Sequence, residues 1–285
     1  MLSDNICASH IIYIMANKRI LFISQEVTPY LSEDEHSTFG KELPHLFHAN
    51  GYEARLFMPR YGAINERRNQ LHEVIRLSGL NISIGDSDHP LIIKVASLPP
   101  AKIQAYFIDN DDYFQRLDSD VDNVGSNRAD NDERMIFYTR GTVETAKKLR
   151  WDSDVIVCTG WMAALAPMYL RKIYNDEPSF KKAKIVTIFD GTKFEGELDP
   201  KFIAKLKAEG AKDSDLRMIR NKPLTIGALQ TLAAKHSNGV ILQTPDLEPE
   251  LATYLETTKT KILPHDKVQE GGMNAYLDFI NSFVS

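Results

Sequence analysis

Short apolar runs rich in β-branched residues alternate with longer amphipathic stretches along most of this chain. Parallel strands need crossover connections of about a dozen residues or more, and the stretches between most of these runs are long enough to supply them. The alternation therefore predicts an α/β protein in which helices cover both faces of a parallel sheet. The strands predicted to be parallel are residues 19–24, 53–58, 155–158, 184–189 and 239–243.

Residues 73–108 follow a different pattern, because their strand candidates are closely spaced and leave no room for crossover helices. Turn residues separate the candidates, which favours hairpins over parallel units. We therefore expect an antiparallel hairpin insertion within the α/β frame. Its candidate strands are residues 73–77, 80–84, 91–97 and 103–108.

Start and stop signals predict several helices. The first should begin at Ser37 or Thr38 and end at Asn50-Gly51, and a later one should be capped by Asp246. The other predicted helices are residues 132–149, 161–173, 200–209, 224–236 and 273–283.

The N-terminus reads as an extension of the folded part. Ile11 to Met15 is apolar but too short for the core of a signal peptide, and no Lys or Arg precedes it. Met15 stands just before the first strand, so we expect it to be the true start of the protein. We expect residues 1–17 to be a disordered extension and residues 18–285 to form a single domain.

Composition excludes several classes of function. A net charge of −5 offers no basic field for nucleic acid or an anionic membrane, and no apolar run is long enough to span a bilayer. Cys7 and Cys158 do not form a disulfide framework, and neither C-x-x-C nor H-E-x-x-H occurs. We expect a cytoplasmic protein without a metal or cofactor. The sequence does not set its oligomeric state.

Several motifs in series resemble one family. The chain reads I-L-F-I-S-Q-E-V-T-P-Y from Ile20, F-G-K-E-L-P from Phe39 and R-L-F-M-P-R-Y-G from Arg55. D-N-D-E-R-M-I-F follows from Asp130 and W-M-A-A-L-A-P-M-Y-L from Trp161. In this order and spacing, over about residues 18–265, they resemble the N-terminal half of bacterial glycogen and starch synthases. The resemblance implies the Rossmann-like N-terminal half of a GT-B glycosyltransferase fold.

Four consecutive residues depart from that family at its phosphate-facing loop. The family carries K-T-G-G there, where lysine neutralises phosphate and the glycines let backbone N–H groups approach it. The matching positions are Ser32, Glu33, Asp34 and Glu35. Three carboxylates would repel a diphosphate, so the resemblance implies that this loop is degenerate.

Two further family segments lose their histidines. H-D-W-H is replaced by T-G-W-M, which puts Thr159 and Met162 at the histidine positions, and T-I-H-N is replaced by T-I-F-D, which puts Phe189 at the third. Neither threonine nor methionine handles protons as imidazole does. Trp161 is kept, but a tryptophan that opens a helix is more often a packing residue than a sugar platform.

One group of residues keeps the family's sugar-binding pattern. Asp130 and Asn131 match an Asp-Asn pair that the family uses near the sugar, and Tyr113 matches an aromatic residue of a neighbouring turn. An Asp-Asn pair before a helix is also an ordinary N-cap. Capping is the preferred interpretation, and sugar binding by these residues and Trp161 is the alternative.

The leading functional hypothesis is a non-catalytic family member, regulatory or scaffolding, that acts in storage-glucan metabolism. Its expected partner is an α-glucan or another protein of glycogen metabolism. The alternatives are a glycosyltransferase half that uses ADP- or UDP-glucose with its C-terminal domain supplied by another chain, and a protein-interaction module. The resemblance stops short of the family's second domain, so we expect that domain to be missing, which favours the non-catalytic hypothesis. A nucleotide-binding oxidoreductase is disfavoured because no G-x-G-x-x-G follows the first strand.

Overall fold

The parallel strands predicted from the sequence form the centre of the computed structural model, which describes residues 18–115, 122 and 124–284. Its sheet has ten strands in the order β10-β9-β8-β7-β1-β2-β6-β5-β3, with β4 paired to β5. The strands are β1 (Arg19–Ser24), β2 (Glu53–Pro59), β3 (His72–Glu73), β4 (Leu80–Ile84), β5 (Ser87–Leu98), β6 (Ile103–Asp109), β7 (Val155–Thr159), β8 (Lys184–Phe189), β9 (Gly239–Leu242) and β10 (Lys261–Leu263).

Strand β1 lies in the middle of the parallel region. It pairs in parallel with β2 on one side and with β7 on the other, and β8, β9 and β10 continue beyond β7. Every residue of β7 is buried, as expected for a strand covered on both faces. The predicted α/β fold class is confirmed.

The hairpin insertion is present, with two differences. The candidate strand at residues 73–77 was wrong, since β3 has only two residues and residues 75–77 form a turn. Strands β3 and β4 pair antiparallel with β5, and β5 pairs antiparallel with β6. However, β6 also pairs in parallel with β2, so it belongs to the main sheet. The hairpins themselves supply the long crossover that a parallel pair requires, a role more often filled by a helix.

Helices cover both faces of the sheet, and most lie near their predicted places. They are α1 (Glu35–Ala49), α2 (Asn131–Lys148), α3 (Ala166–Met168), α4 (Pro178–Lys181), α5 (Phe202–Ala208), α6 (Ile226–His236), α7 (Pro249–Thr257), α8 (His265–Gly271) and α9 (Met273–Asn281).

Three helix predictions were wrong in detail. Helix α1 begins at Glu35, because Asp34 caps it in place of Ser37 or Thr38. Helix α7 is preceded by Glu248 and begins at Pro249, so Asp246 does not cap it. Residues 161–173 form a 3₁₀ turn, the short α3 and a wide turn rather than one regular helix.

The expected disordered extension, residues 1–17, lies outside the described residues, and the single-domain prediction stays a prediction. Within the part of the chain that the structure describes, no helix has the length and apolar character needed to cross a membrane.

Candidate ligand-binding cleft

The order of strands places a crevice at the carboxyl end of β1. The chain leaves β1 toward β2 on one side and later returns to β7 on the other side. Open α/β sheets bind ligands where the strand order reverses in this way, outside the carboxyl ends of the strands. The loops that follow β1, β7 and β8 meet at this point.

A cleft of about 240 Å³ lies there. Gln25, Glu26, Asp34 and His36 line it from the segment after β1. Trp161 lines it from the end of β7, and Thr192 and Lys193 line it from the segment after β8. Asp122, Val124 and Ser126 complete the described wall.

Glu26 has the most perturbed carboxyl group of the cleft. Burial raises its pKa to about 7, and the negative charges of Asp34 and Asp190 act in the same direction. The amide of Gln25 donates a hydrogen bond to Glu26 Oε1 at 2.8 Å, which opposes the rise in pKa, and the charge of His36 opposes it as well. A carboxyl group with a pKa near neutrality is typical of functional sites, although structural networks produce such shifts as well.

In the loop that replaces the family's K-T-G-G, the carboxylate of Asp34 caps the N-terminus of α1. The backbone N–H of Ser37 donates to Asp34 Oδ1 at 2.7 Å, and the backbone N–H of Asp34 donates to Ser37 Oγ at 3.0 Å. This reciprocal pair is a capping box. Ser32, Glu33 and Glu35 are exposed beside it.

Thr159 and Met162, which replace the family's histidines at the end of β7, are buried. Thr159 is 6% exposed and Met162 is fully buried. The backbone N–H of Met162 donates to Gln25 Oε1 at 3.3 Å. Between them Gly160 adopts a φ of +80°, and a Cβ there would stand 2.5 Å from the Cβ of Gln25. This glycine therefore lets the loops after β1 and β7 meet.

Phe189, at the histidine position of the third segment, ends β8 and is 4% exposed. It lines a second cavity of about 180 Å³, next to the cleft, together with Gly191, Lys193 and Thr244. An aromatic ring without a polar atom thus occupies a position where the family has imidazole.

Trp161 is 2% exposed and lies between the cleft and the segment after β8. Its ring packs edge-on against Phe194 with centroids 5.5 Å apart. Its backbone N–H donates to Thr192 Oγ1 at 3.2 Å, and that hydroxyl donates to Asp190 at 2.7 Å. Burial raises the pKa of Asp190. The structure thus brings one of the predicted sugar-binding residues to the cleft.

Asp130 and Asn131 stand behind the cleft wall. Asp130 precedes α2, but its side chain makes no capping hydrogen bond and pairs with Arg128 at 2.6 Å. The amide of Asn131 donates to the carbonyl of Ser126 at 2.8 Å. The predicted capping role was therefore wrong for both side chains, because each has a partner in the preceding loop.

Arg134 is fully buried and holds the wall of the cleft that Val124 and Ser126 form. Its guanidinium donates to the carbonyls of Tyr113, Val124 and Gly125 at 2.9, 2.5 and 2.8 Å. It also donates to Asn131 Oδ1 at 2.7 Å. Burial lowers the pKa of Arg134. These bonds tie the start of α2 to the segment that carries Ser126.

Tyr113 is 2% exposed and does not line the cleft. Its hydroxyl donates to Glu133 Oε2 at 2.9 Å and lies 2.9 Å from His89 Nε2. Because both sides of the hydroxyl are engaged, Tyr113 presents no free polar group. Its predicted role at a sugar stays untested.

Sequence reasoning missed Glu26, His36, Asp190 and Arg134. Position gave a usable signal for Glu26 and Asp190, because each comes just after a predicted parallel strand. The burial that raises the pKa of Glu26 depends on packing between loops, which the sequence pattern does not express. Among the described residues, no group of three or more His, Cys, Asp or Glu side chains is placed to hold a metal ion.

Comparisons with known proteins agree with this arrangement. A glycogen synthase from Chlorobium luteolum is 37% identical over 195 residues, covering 68% of this chain and 40% of its own length. A glycogen synthase from Chlorobaculum parvum is 36% identical over 205 residues, covering 68% and 42%. The chain thus spans less than half the length of these relatives.

A solved structure shares the fold. The catalytic domain of starch synthase IV from Arabidopsis thaliana, bound to ADP and acarbose, matches with a TM-score of 0.69 and 14% identity, over 87% of this chain and 51% of its own. The family model of the starch synthase catalytic domain matches residues 19–259. Because that match covers most of the sequence, the chain belongs to the starch synthase catalytic domain family.

Proposed function

We propose that this chain is a non-catalytic member of its family, with a regulatory or scaffolding role in storage-glucan metabolism in the cytoplasm. The observation that carries the proposal is the loop before α1. Where the family has lysine and glycines for phosphate, this loop has Glu33, Asp34 and Glu35, and Asp34 already accepts a hydrogen bond from the first turn of α1.

Electrostatics make this loop unsuited to a nucleotide sugar. Glucosyl transfer needs the departing diphosphate stabilised, and such stabilisation is usually the largest catalytic contribution. A carboxylate at the helix N-terminus occupies the place and the charge that a phosphate would take. Repulsion from Glu33 and Glu35 adds to this effect.

The sugar side of the cleft supports the same proposal. Met162 is fully buried and Phe189 nearly so, and neither has a group that exchanges protons near neutral pH. Losing one catalytic group costs about 10²–10³ in rate, although such losses do not simply add. The scaffold around these positions keeps the family fold, which is what a retained binding or regulatory role requires.

Incorporation of labelled glucose into glycogen by the purified full chain tests the proposal. With ADP-glucose or UDP-glucose as donor we expect no turnover above background, while an active glycogen synthase in the same assay supplies the positive control. Turnover that is lost on Asp130→Ala would contradict the proposal and support the glycosyltransferase alternative. Co-sedimentation with glycogen separately tests the expected glucan partner.

A further inference from the structure

Strand β4 forms an open edge of the sheet. Within the described part of the chain it pairs antiparallel with β5 alone, so no strand of that part lies along its other side. Ile82 and Ile84 are buried on one face of β4, and the side chains of Asn81 and Ser83 are exposed on the other. An open edge presents backbone N–H and C=O groups with which a further strand can pair.

The register with β5 shows which backbone groups face this edge. Asn81 stands opposite Pro90, which has no N–H, and the Pro90 carbonyl accepts a hydrogen bond from the side chain of Asn110. Asn81 and Pro90 therefore do not form a hydrogen-bonded pair of the ladder, and the N–H and C=O of Asn81 point away from β5. Because this direction repeats at every second residue, the N–H and C=O of Ser83 point the same way.

The sequence of β4 does not protect this edge. It reads Leu-Asn-Ile-Ser-Ile, with neither a charged residue nor a proline, whereas edge strands are normally guarded by such residues or by a covering element. The turn at residues 75–77, which separates β3 from β4, presents Ile75 with 82% of its surface exposed. Both features are typical of a surface that another chain covers.

We infer that β4 pairs with the β4 strand of a second copy of this chain, antiparallel about a twofold axis at Ile82. In this register Asn81 of each copy stands opposite Ser83 of the other. Each of these residues has one outward N–H and one outward C=O, so two N–H groups from each copy make four backbone hydrogen bonds across the axis. The pairing uses the groups that β5 leaves free.

The side chains of β4 match themselves in this register. On the exposed face, the Asn81 amide of one copy meets the Ser83 hydroxyl of the other. On the opposite face, the half-buried Leu80 meets Ile84. Polar residues thus stand across from polar residues and apolar from apolar, which is the pattern that stabilises antiparallel pairs.

The two ends of β4 carry opposite charges. Arg76 lies in the turn before the strand and Asp86 in the turn after it, and both side chains are exposed. Antiparallel pairing brings the Arg76 end of each copy to the Asp86 end of the other, so opposite charges meet on both sides of the axis. An extended peptide from another protein would also use the backbone groups, but these matches of side chain and charge favour a second copy.

Sedimentation velocity on the full chain, from about 1 µM to about 1 mM, tests the inference. The contact is small, so we expect a weak dimer that forms as concentration rises. Ser83→Pro removes an outward N–H and should weaken association at least about tenfold. Ser83→Ala, the matched control, loses the same side chain with its 2.5 Å hydrogen bond to Asp88 but keeps the N–H, so it should associate like the wild type. A chain that stays monomeric throughout, or equal association of the two variants, would overturn the inference.

Charge exchange gives a second test that does not depend on the folding of Ser83→Pro. Arg76→Glu alone and Asp86→Arg alone should each weaken self-association about fivefold or more, because both ends then meet like charges. An equimolar mixture of the two variants should associate like the wild type, since each copy then offers the charge that the other needs. A mixture no tighter than the separate variants would refute self-pairing in this register.

Amide hydrogen exchange, measured residue by residue, locates the contact. At the concentrations where the dimer forms, the amides of Asn81 and Ser83 should exchange at least about tenfold more slowly than in dilute protein, while Ile82, whose N–H faces β5, should not change. Exchange at Asn81 and Ser83 that is independent of concentration would contradict the inference. None of these residues lines the cleft, so the inference does not rest on the proposed function.

Discussion

At the scale of single residues, burial of the Glu26 carboxyl group links folding to pH. Its pKa rises from 4.5 to about 7 in the folded chain, so the folded state holds this proton more tightly than the unfolded state. The protonated carboxyl stabilises the fold fully below about pH 4.5. That contribution is lost as pH rises through about 7.

Glu26→Gln should remove this dependence. Glutamine stays neutral, so the variant should equal the wild type near pH 4.5 and exceed it by about 1–3 kcal/mol at pH 8. Urea unfolding at both pH values measures the difference. Glu33→Gln, on the exposed part of the same loop, keeps Glu26 and should differ from the wild type by the same amount at both pH values. A Glu26→Gln variant that is destabilised equally at both pH values would contradict this link between burial and pH.

At the scale of elements, α1 connects the scaffold to the cleft. Asp34 caps its start, within the segment that matches the family's phosphate-binding loop. Gly40 in its second turn packs against the backbone of Glu26. A Cβ on Gly40 would stand 2.3 Å from the Glu26 carbonyl oxygen, so only glycine fits without a shift of that segment. The F-G-K-E-L-P motif therefore has a packing reason at its glycine.

Gly40→Ala should destabilise the protein by about 1–3 kcal/mol, since the clash is with backbone, although alanine is the better helix former. Gly227→Ala in α6 is the matched control. A Cβ there would stand 2.4 Å from a carboxylate oxygen of Glu250, the end of an exposed side chain that can move, and 2.9 Å from the Cβ of the half-buried Glu248, which is a milder contact than the 2.3 Å clash with backbone at Gly40. Thermal unfolding compares the two, and an equal cost at both positions would be inconsistent with a backbone clash at Gly40.

The elements also show what the sequence could predict. Strands β1, β4 and β8 have their expected bounds, because apolar runs flanked by polar residues are local signals. The parallel pairing of β6 with β2 was missed, since it depends on a crossover built from other strands. The start of α1 was misplaced because Asp34 and Ser37 both suit an N-cap, and only the geometry selects Asp34.

At the scale of the whole molecule, the cleft exists because loops from distant parts of the sequence meet at one edge of the sheet. Its location follows from the strand order, and the altered loop residues were identified from the resemblance to the family, with the spacing between matching motifs fixing their positions. The environment of each side chain could not be predicted in this way. Tyr113 and Asn131 match family positions, yet the Tyr113 hydroxyl is engaged by His89 and the Asn131 amide donates to the carbonyl of Ser126, contacts that the sequence pattern does not express.

Restoring K-T-G-G at residues 32–35 tests whether loop charge is what excludes a nucleotide. The change removes Glu33, Asp34 and Glu35 and adds a lysine, so repulsion of a diphosphate becomes attraction at the N-terminus of α1. Replacing an N-cap by glycine costs only a few tenths of a kcal/mol, so the fold should survive. We expect ADP affinity to rise by about tenfold or more, measured by calorimetry at fixed ionic strength.

The double variant Glu33→Thr with Glu35→Gly keeps the Asp34 cap and gains no lysine, so it should recover only part of this affinity. A folded K-T-G-G variant with unchanged affinity for ADP would show that the loop charge is not what keeps nucleotides out. Transfer of glucose should remain absent even in the variant that binds ADP, because Met162 and Phe189 still stand where the family has histidines.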